Sequence, residues 1–187
     1  MVEPWVVVGT EALVANRWLR VRHDVCRIGC NEQPVDYYVV EKSDFAMAVA
    51  LTIDRRLVLV RQYKHGAGQV VLECPAGYIE VEESPARAAE RELREETGYA
   101  ARLTLPLGTF LVSPSSLNNR AHLFLCLDAS VAGPQHLDAT ESVKVELIDF
   151  DKAVQDLVSG RLELDLASTA ALLLAAARLS QGSNGKG

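Results

Sequence analysis

The first forty residues contain three short apolar and aromatic runs separated by turn residues. This pattern predicts strands rather than helices. The runs cover residues 5–8, 18–22 and 36–40. Three strands alone bury little apolar surface, so we expect them to pack against another part of the protein.

From about residue 45 onward, the pattern predicts strands mixed with helices. Strands are expected at residues 46–53, 57–63, 70–73, 103–107, 109–113, 121–127 and 142–149, and helices at 150–159 and 166–179. Helices on a mixed sheet indicate an α+β fold, or more loosely an α-β-α arrangement. We therefore expect an N-terminal β domain (residues 1–43), a main domain (residues 44–180) and a disordered tail (residues 181–187).

One further helix is predicted by its end signals. Ser84 can cap exposed amides, Pro85 is tolerated at the first helical position, and Gly98 can end the helix in a left-handed conformation. At about 100° per residue one face of this helix should lie on a core. That face consists of Ala86, Ala89, Leu93 and Thr97.

Three glutamates, Glu92, Glu95 and Glu96, lie on an arc beside that face, because residues three and four apart are neighbours on a helix. A solvated acidic surface is the ordinary interpretation, but such surfaces usually pair Glu with Lys, and this helix contains no Lys. Arg91 and Arg94 can steady individual carboxylates without replacing a divalent ion. Several carboxylates against a core therefore favour Mg²⁺ or Mn²⁺, which prefer oxygen ligands.

Composition narrows the choice of partners. The net charge of −6 argues against a nucleic-acid partner. The N-terminus lacks a basic region followed by an apolar run, and the longest apolar run, residues 166–177, is too short to span a bilayer. We therefore expect no signal peptide and no membrane partner.

The four cysteines, Cys26, Cys30, Cys74 and Cys126, lack the spacing of a metal site. We therefore expect reduced cysteines and a cytoplasmic location.

The acidic helix belongs to a longer pattern of fixed spacings. Gly77 is followed after five residues by Glu83 and after seven more by Arg91-Glu92-Leu93, and then come Glu95-Glu96 and Gly98. The pattern resembles the signature of the Nudix hydrolases, departing from it at Tyr99, where an aliphatic residue is commoner. The resemblance implies a Nudix α-β-α sandwich with a mixed sheet, plus a small N-terminal β-sheet domain.

Other motifs resemble the ADP-ribose pyrophosphatase branch of that family. They are RQYKHG at residues 61–66, ECPAG at residues 73–77, and Pro114, sixteen residues beyond Gly98. The resemblance implies Mg²⁺-dependent hydrolysis of the pyrophosphate bond of ADP-ribose or a related nucleoside diphosphate sugar, giving a nucleoside monophosphate and a sugar phosphate. It also implies a homodimer whose N-terminal domains are exchanged.

Site residues follow from the chemistry of the acidic helix together with this resemblance. The metal site is expected to include Glu92, Glu95, Glu96 and Glu83, and the resemblance implies the carbonyl of Ala76 as an additional ligand. Glu83 is expected to help through a bound water or by contacting Arg91, which orients the carboxylates.

In the ADP-ribose pyrophosphatase branch the general base often lies in a loop before the last strand. Glu141 matches that position, with Asp138 and Glu95 as alternatives, and an ordinary solvated charge is the remaining interpretation of Glu141.

Substrate contacts are expected from three places. Arg61 is a candidate phosphate ligand or simply a surface charge. Trp18, Tyr37 and Tyr38 can stack on a nucleobase from the partner subunit, or can serve ordinary packing. In the loop at residues 113–120 we expect contacts from Pro114, Ser115 and Asn118. Ser115 stands where the branch usually has Gly, and Asn118 and Asn119 stand where acidic residues are frequent, so the exact substrate is left open.

Two alternatives to ADP-ribose hydrolysis are considered. One is hydrolysis of GDP-mannose or another sugar nucleotide. The other is a Nudix domain that senses nucleotides without cleaving them; such domains usually lose the glutamates that this chain retains at positions 83, 92, 95 and 96.

Overall fold

A computed structural model of the protein describes residues 2–29 and 33–183. Its chain forms two compact units, one made of Met1–Ser43 with Leu111–Arg120, the other of Asp44–Phe110 with Ala121–Gly187. The segment Leu111–Arg120, which the predicted boundaries assign to the main domain, thus clusters with the N-terminal residues.

The first unit is built on a three-stranded antiparallel sheet. Its strands are β1 (Val6–Ala15), β2 (Arg20–Arg27) and β3 (Val35–Glu41), in that order. The segment Leu111–Arg120 joins β3 through a bridge between Val40 and Leu117. All three predicted runs overlap these strands.

The second unit contains one eight-stranded sheet and three helices. In chain order they are β4 (Phe45–Thr52), β5 (Arg56–Lys64), β6 (Gln69–Glu73), β7 (Ala76–Tyr78), α1 (Pro85–Thr97), β8 (Tyr99–Ala100), β9 (Leu103–Leu111), β10 (Arg120–Val131), β11 (Val143–Asp149), α2 (Phe150–Val158) and α3 (Leu166–Ser183). The strand order is β11-β5-β4-β10-β8, with β6 on β5, β7 on β4 and β9 on β10. Because β10 runs parallel to β4 whereas β5 and β7 run antiparallel to it, the sheet is mixed.

Strand β4 shows how the two faces of the sheet are covered. Its alternate side chains point to opposite faces. Met47, Val49 and Leu51 belong to a core with α2 and α3, whereas Ala46, Ala48 and Ala50 pack in a second core with α1. Helices on both faces of a mixed sheet confirm the predicted α-β-α sandwich, and the small antiparallel N-terminal sheet is also confirmed.

Some boundaries differ from those predicted. Residues 103–107 and 109–113 were expected to form two strands, but Leu103–Leu111 is one strand that passes through Gly108. Helix α3 continues to Ser183, so the first three residues of the predicted disordered tail are helical. The rest of that tail, residues 184–187, and Cys30 lie outside the described residues. Among the described residues, no helix is both long and apolar enough to cross a membrane.

Candidate active site

Helix α1 begins and ends where its sequence signals predict. The Ser84 hydroxyl accepts a hydrogen bond from the Arg87 amide at 3.4 Å, and Pro85 is the first helical residue. At the other end Gly98 has a φ of 75°, and its amide donates to the Arg94 carbonyl at 2.8 Å. The buried residues of the helix are Ala88, Ala89, Leu93, Glu96 and Thr97. Glu96 therefore lies on the core side of the helix.

The short strand β7 lies against the carboxylates of α1. The Ala76 amide donates to Oε2 of Glu96 at 3.0 Å. A Cβ atom on Gly77 would lie 2.0 Å from Oε1 of Glu92, well inside contact distance. Only a glycine therefore leaves room for the Glu92 carboxylate in this position.

Arg91 forms ion pairs with three members of the acidic cluster, which we define as Glu83, Glu92, Glu95 and Glu96. Its Nε and Nη2 each donate to a Glu83 oxygen at 3.0 Å, and its Nη1 donates to Glu92 at 2.6 Å and to Glu95 at 3.0 Å. The Tyr78 carbonyl accepts a further bond from Nη2 at 2.9 Å. These contacts, that with Glu83 foremost, raise the pKa of Arg91, and in return Arg91 lowers the pKa of Glu83. The expected contact between Glu83 and Arg91 is present.

Two glutamates of the cluster are held in surroundings that disfavour their charged form. Glu96 is only 4 % exposed, and burial raises the pKa of its carboxyl group to about 8, against the opposing effect of the Ala76 amide. Burial also raises the pKa of Glu92, against the opposing effect of Arg91. A nearby cation would favour the ionised form of both groups.

A cavity of about 450 Å³ collects these groups. This carboxylate cavity is lined by Gln62, Lys64, Ala76, Gly77, Tyr78, Glu80, Arg91, Glu92, Glu95, Glu96, His136, Asp138 and Glu141. Six of the lining residues are acidic, whereas only Lys64 and Arg91 carry a fixed positive charge. The cavity therefore suits a cation more than it suits an unaccompanied anion.

The loop at residues 132–142 brings two more carboxylates to this cavity. It leads from β10 to β11 and contains a turn in which the Glu141 amide donates to the Asp138 carbonyl at 2.9 Å. The side chain of Glu141 closes the same turn by accepting from the Asp138 amide at 3.0 Å. The predicted base Glu141 and its alternatives, Asp138 and Glu95, thus line one cavity with the predicted metal ligands.

The donor set fits a hard divalent cation. Glu92, Glu95 and Glu96 supply carboxylate oxygens, and the space kept free by Gly77 leaves one of these carboxylates at the cavity wall. Within the described residues, no three acidic, histidine or cysteine side chains are already arranged as a metal site. Arg91 instead holds one oxygen each of Glu92 and Glu95 as their counter-ion.

Arg61 does not join these groups. Its guanidinium forms a bidentate ion pair with Glu146, at 2.7 and 3.0 Å. It lines a different cavity, of about 490 Å³, together with Val70 and Arg161. Its role as a phosphate ligand stays a prediction, and here it already has a carboxylate partner.

The remaining predicted substrate contacts lie in the first unit. Trp18 is 73 % exposed, with the Arg17 guanidinium 4.1 Å from its ring centroid. The Tyr37 hydroxyl donates to the Ser115 carbonyl at 2.5 Å.

Asn118, also a predicted substrate contact, accepts a hydrogen bond from the Lys42 amide at 2.8 Å. Pro114 belongs to the same segment of the first unit as Ser115 and Asn118. The structure thus shows how this loop is held on its own unit, and the substrate roles stay predictions.

Sequence reasoning missed five residues that line the carboxylate cavity: Gln62, Lys64, Tyr78, Glu80 and His136. For the first two, strand alternation gives part of the signal. Residues two apart on a strand share a face, so Gln62 and Lys64 of β5 point to the side opposite Arg61. Lys64 also pairs with Glu73 at 2.8 Å.

Comparisons with known proteins agree with this geometry. The family model for the NUDIX domain matches residues 43–167. The ADP-ribose pyrophosphatase of Bacillus subtilis is 30 % identical over 135 residues, which are 72 % of each chain. The methanol dehydrogenase activator of Bacillus methanolicus is 29 % identical over 82 % of this chain and 83 % of its own. The mouse ADP-sugar pyrophosphatase is 38 % identical over 44 % of this chain and 40 % of its own.

A solved structure supports the fold assignment. The crystal structure of an ADP compounds hydrolase superimposes with a TM-score of 0.81 over 100 % of this chain and 99 % of its own, at 21 % sequence identity. Together with the matched NUDIX domain and the glutamates gathered around Arg91, these similarities show that the chain is a Nudix hydrolase of the ADP-ribose pyrophosphatase-like branch.

Proposed function

We propose that the protein hydrolyses the pyrophosphate bond of ADP-ribose or a related nucleoside diphosphate sugar, in a reaction that depends on a divalent cation. The products would be a nucleoside monophosphate and a sugar phosphate. The observation that carries this proposal is the carboxylate cavity, where candidate metal ligands and candidate bases line the same space. The names of the Bacillus subtilis and mouse relatives support the substrate class.

Mg²⁺ or Mn²⁺ would be held by Glu92, Glu95, Glu96 and the carbonyl oxygen of Ala76. Such an ion supplies Lewis-acid polarisation of the pyrophosphate and counters its negative charge. Arg91 positions Glu92 and Glu95 through its Nη1, while the paired contact with Glu83 fixes the guanidinium itself. Glu83 thus acts indirectly, by orienting Arg91.

Phosphate binding and proton transfer would be carried out by side chains of the carboxylate cavity. Lys64 is a flexible point charge at the cavity wall and would contact a phosphate oxygen of the substrate. Glu141 would take the proton from the attacking water as the general base, which requires only a hydrogen bond to that water. Asp138 and Glu95 are the alternative bases at the same cavity.

In a homodimer the first unit would complete the substrate site of the partner subunit. Trp18 and Tyr37 offer aromatic faces for a nucleobase, and the segment with Pro114, Ser115 and Asn118 offers polar groups for the ribose. An apolar surface on β1 supports association with a second copy of the chain. Its exposed members include Val6 at 57 %, Val7 at 55 %, Val8 at 50 % and Leu13 at 49 %.

We also propose a cytoplasmic location. Cys26, Cys74 and Cys126 are free and buried, as is usual for proteins of a reducing compartment.

A hydrolysis panel tests the proposed activity. ADP-ribose, ADP-glucose, GDP-mannose and UDP-glucose are incubated with the protein in Mg²⁺, in Mn²⁺ or in EDTA, and products are separated by chromatography. We expect the fastest turnover with an ADP-sugar and none in EDTA. A preference for GDP-mannose would favour the alternative substrate, and tight binding without any cleavage would overturn hydrolysis in favour of a sensor.

A further inference from the structure

The loop at residues 132–142 caps the C-terminal end of helix α1. The last carbonyl groups of a helix have no partner inside the helix. Here the carbonyl of Glu95 accepts from the His136 amide at 2.8 Å, and the carbonyl of Glu96 accepts from Nε2 of Gln135 at 2.6 Å. The loop with the candidate base Glu141 is therefore attached to the turn with two of the candidate metal ligands.

The two ends of this loop are held differently. At the near end the amides of Ala132 and Gly133 both donate to the Gly98 carbonyl, at 2.8 and 3.2 Å. At the far end Nε2 of Gln135 also donates to the carbonyl of Val143, the first residue of β11, at 3.3 Å. The amide nitrogen of Gln135 thus links the end of α1 to the strand that follows Glu141.

We propose that Gln135 is a positioning residue that sets the place of Glu141 relative to the carboxylates of α1. Glu141 lies within a turn closed by its own contacts with Asp138, and that turn lies between Gln135 and Val143 in the chain. The inference rests on the proposed function, because it assigns Glu141 the role of base. It assigns Gln135 no contact with substrate or metal.

The physical reason is the sensitivity of proton transfer to distance. A catalytic group displaced by about 1 Å can cost two orders of magnitude in rate. A polar loop with few buried contacts opens easily unless side chains hold it. Without the amide of Gln135, the turn with Asp138 and Glu141 would remain attached by the backbone bonds of residues 132–136 and by the pairing of Val143 with Gln62 of β5, and it would sample more positions between these two attachments.

The kinetic test is Gln135→Met, which keeps the length of the side chain and removes its donor. We expect kcat to fall about tenfold with KM changed less than about twofold, because the groups that bind substrate stay in place. Gln155→Met is the matched control, since Gln155 is an exposed glutamine on α2 outside the carboxylate cavity. Gln135→Glu, which turns an acceptor toward both carbonyls, should lower kcat at least as much.

A double mutant tests whether Gln135 acts through Glu141. In a Glu141→Gln background, adding Gln135→Met should lower kcat by less than about twofold, because interacting residues are not additive. If Gln135→Met leaves kcat unchanged, or costs the same factor with and without Glu141, the inference is overturned.

Hydrogen exchange of the metal-free protein provides a test independent of activity. Gln135→Met should speed exchange of the Asp138 and Glu141 amides, whereas Gln155→Met should not. Unchanged exchange rates of these amides would overturn the proposed role of Gln135 in holding the loop, even if the protein is an active enzyme. A wild-type protein that cleaves no nucleotide sugar would instead overturn the proposed function, while the exchange result still decides whether Gln135 holds the loop.

Discussion

The carboxylate of Glu92 lies in the space that a side chain on Gly77 would occupy: a Cβ atom at position 77 would lie 2.0 Å from Oε1 of Glu92 and 2.2 Å from its Cδ. The atoms in the way belong to the end of a flexible side chain, so the backbone need not move. A larger residue at position 77 would therefore displace the Glu92 carboxylate and leave the backbone in place.

Gly77→Ala should accordingly lower turnover by about tenfold or more and weaken metal binding, with little change in thermal stability. Gly66→Ala is the matched control, because a Cβ on Gly66 meets nothing within 4 Å. The measurements are metal-dependent kinetics and the unfolding midpoint of both variants. Normal turnover of Gly77→Ala would show that the position of Glu92 is unimportant for the reaction.

Arg91→Lys should destabilise the metal-free protein by about 1–3 kcal/mol, because one ammonium group cannot replace contacts to Glu83, Glu92 and Glu95 together. Turnover should fall as well, since Glu92 and Glu95 lose their common donor. Arg87→Lys, at an exposed position one turn earlier, should change stability by less than about 0.5 kcal/mol. The measurement is the free energy of unfolding of both variants, from urea unfolding in EDTA. Equal losses of stability in the two variants would show that the contacts of Arg91 with the three glutamates do not stabilise the protein.

Stability of the metal-free protein should fall as pH rises from about 5 to 8, in part through Glu96. Burial raises the pKa of this carboxyl from 4.5 to about 8 in the folded state. Between these values the folded protein binds more protons than the unfolded chain, so the stabilising contribution is complete below pH 4.5 and is lost as pH passes 8. Glu96→Gln cannot ionise and should flatten this dependence.

The measurement for Glu96 is the unfolding midpoint in EDTA at intervals between pH 5 and pH 8, for wild type and Glu96→Gln. At pH 8 the variant should be the more stable of the two. With saturating Mg²⁺ the order should reverse, because only the wild type then gains a ligand for the ion. Parallel curves for the two proteins would contradict the burial of an ionisable Glu96.

The boundaries of α1 could be predicted because its signals are local. Ser84, Pro85 and Gly98 each act on amides or carbonyls within one turn, so their effect does not depend on the rest of the fold. Strand alternation is equally local, and along β5 it predicts that Arg61 and Lys64 lie on opposite faces. It does not say which face meets the carboxylate cavity, because that depends on how β5 packs in the complete fold.

Features formed by residues far apart in sequence could not be predicted. The hydrogen bond from Tyr37 to the Ser115 carbonyl joins positions 78 residues apart, and no periodicity encodes it. The same is true of Gln135, whose amide reaches the Glu96 carbonyl across 39 residues. Such contacts depend on the packing of complete elements, whereas sequence patterns describe one element at a time.

Val8→Lys should separate the proposed homodimer, because it places a charge within the exposed apolar surface of β1, where Val8 is 50 % exposed. The affinity for substrate should fall with it. Ile53→Lys is the control, since Ile53 is a single exposed residue in the turn after β4. Light scattering measures the mass of each variant, and a wild-type monomer with full activity at nanomolar concentration would contradict the dimer.

Glu141→Gln should lower kcat by roughly 10²–10⁴, because it removes a base that takes a proton from water. The substitution preserves the turn, since a glutamine oxygen can still accept from the Asp138 amide. Metal affinity and KM should therefore stay near their wild-type values. Asp138→Asn, in the same loop and cavity, should keep most of the rate. If Asp138→Asn is the slower variant, the base is Asp138, and if Glu141→Gln fails only because Mg²⁺ no longer binds, Glu141 is a metal ligand and Glu95 becomes the candidate base.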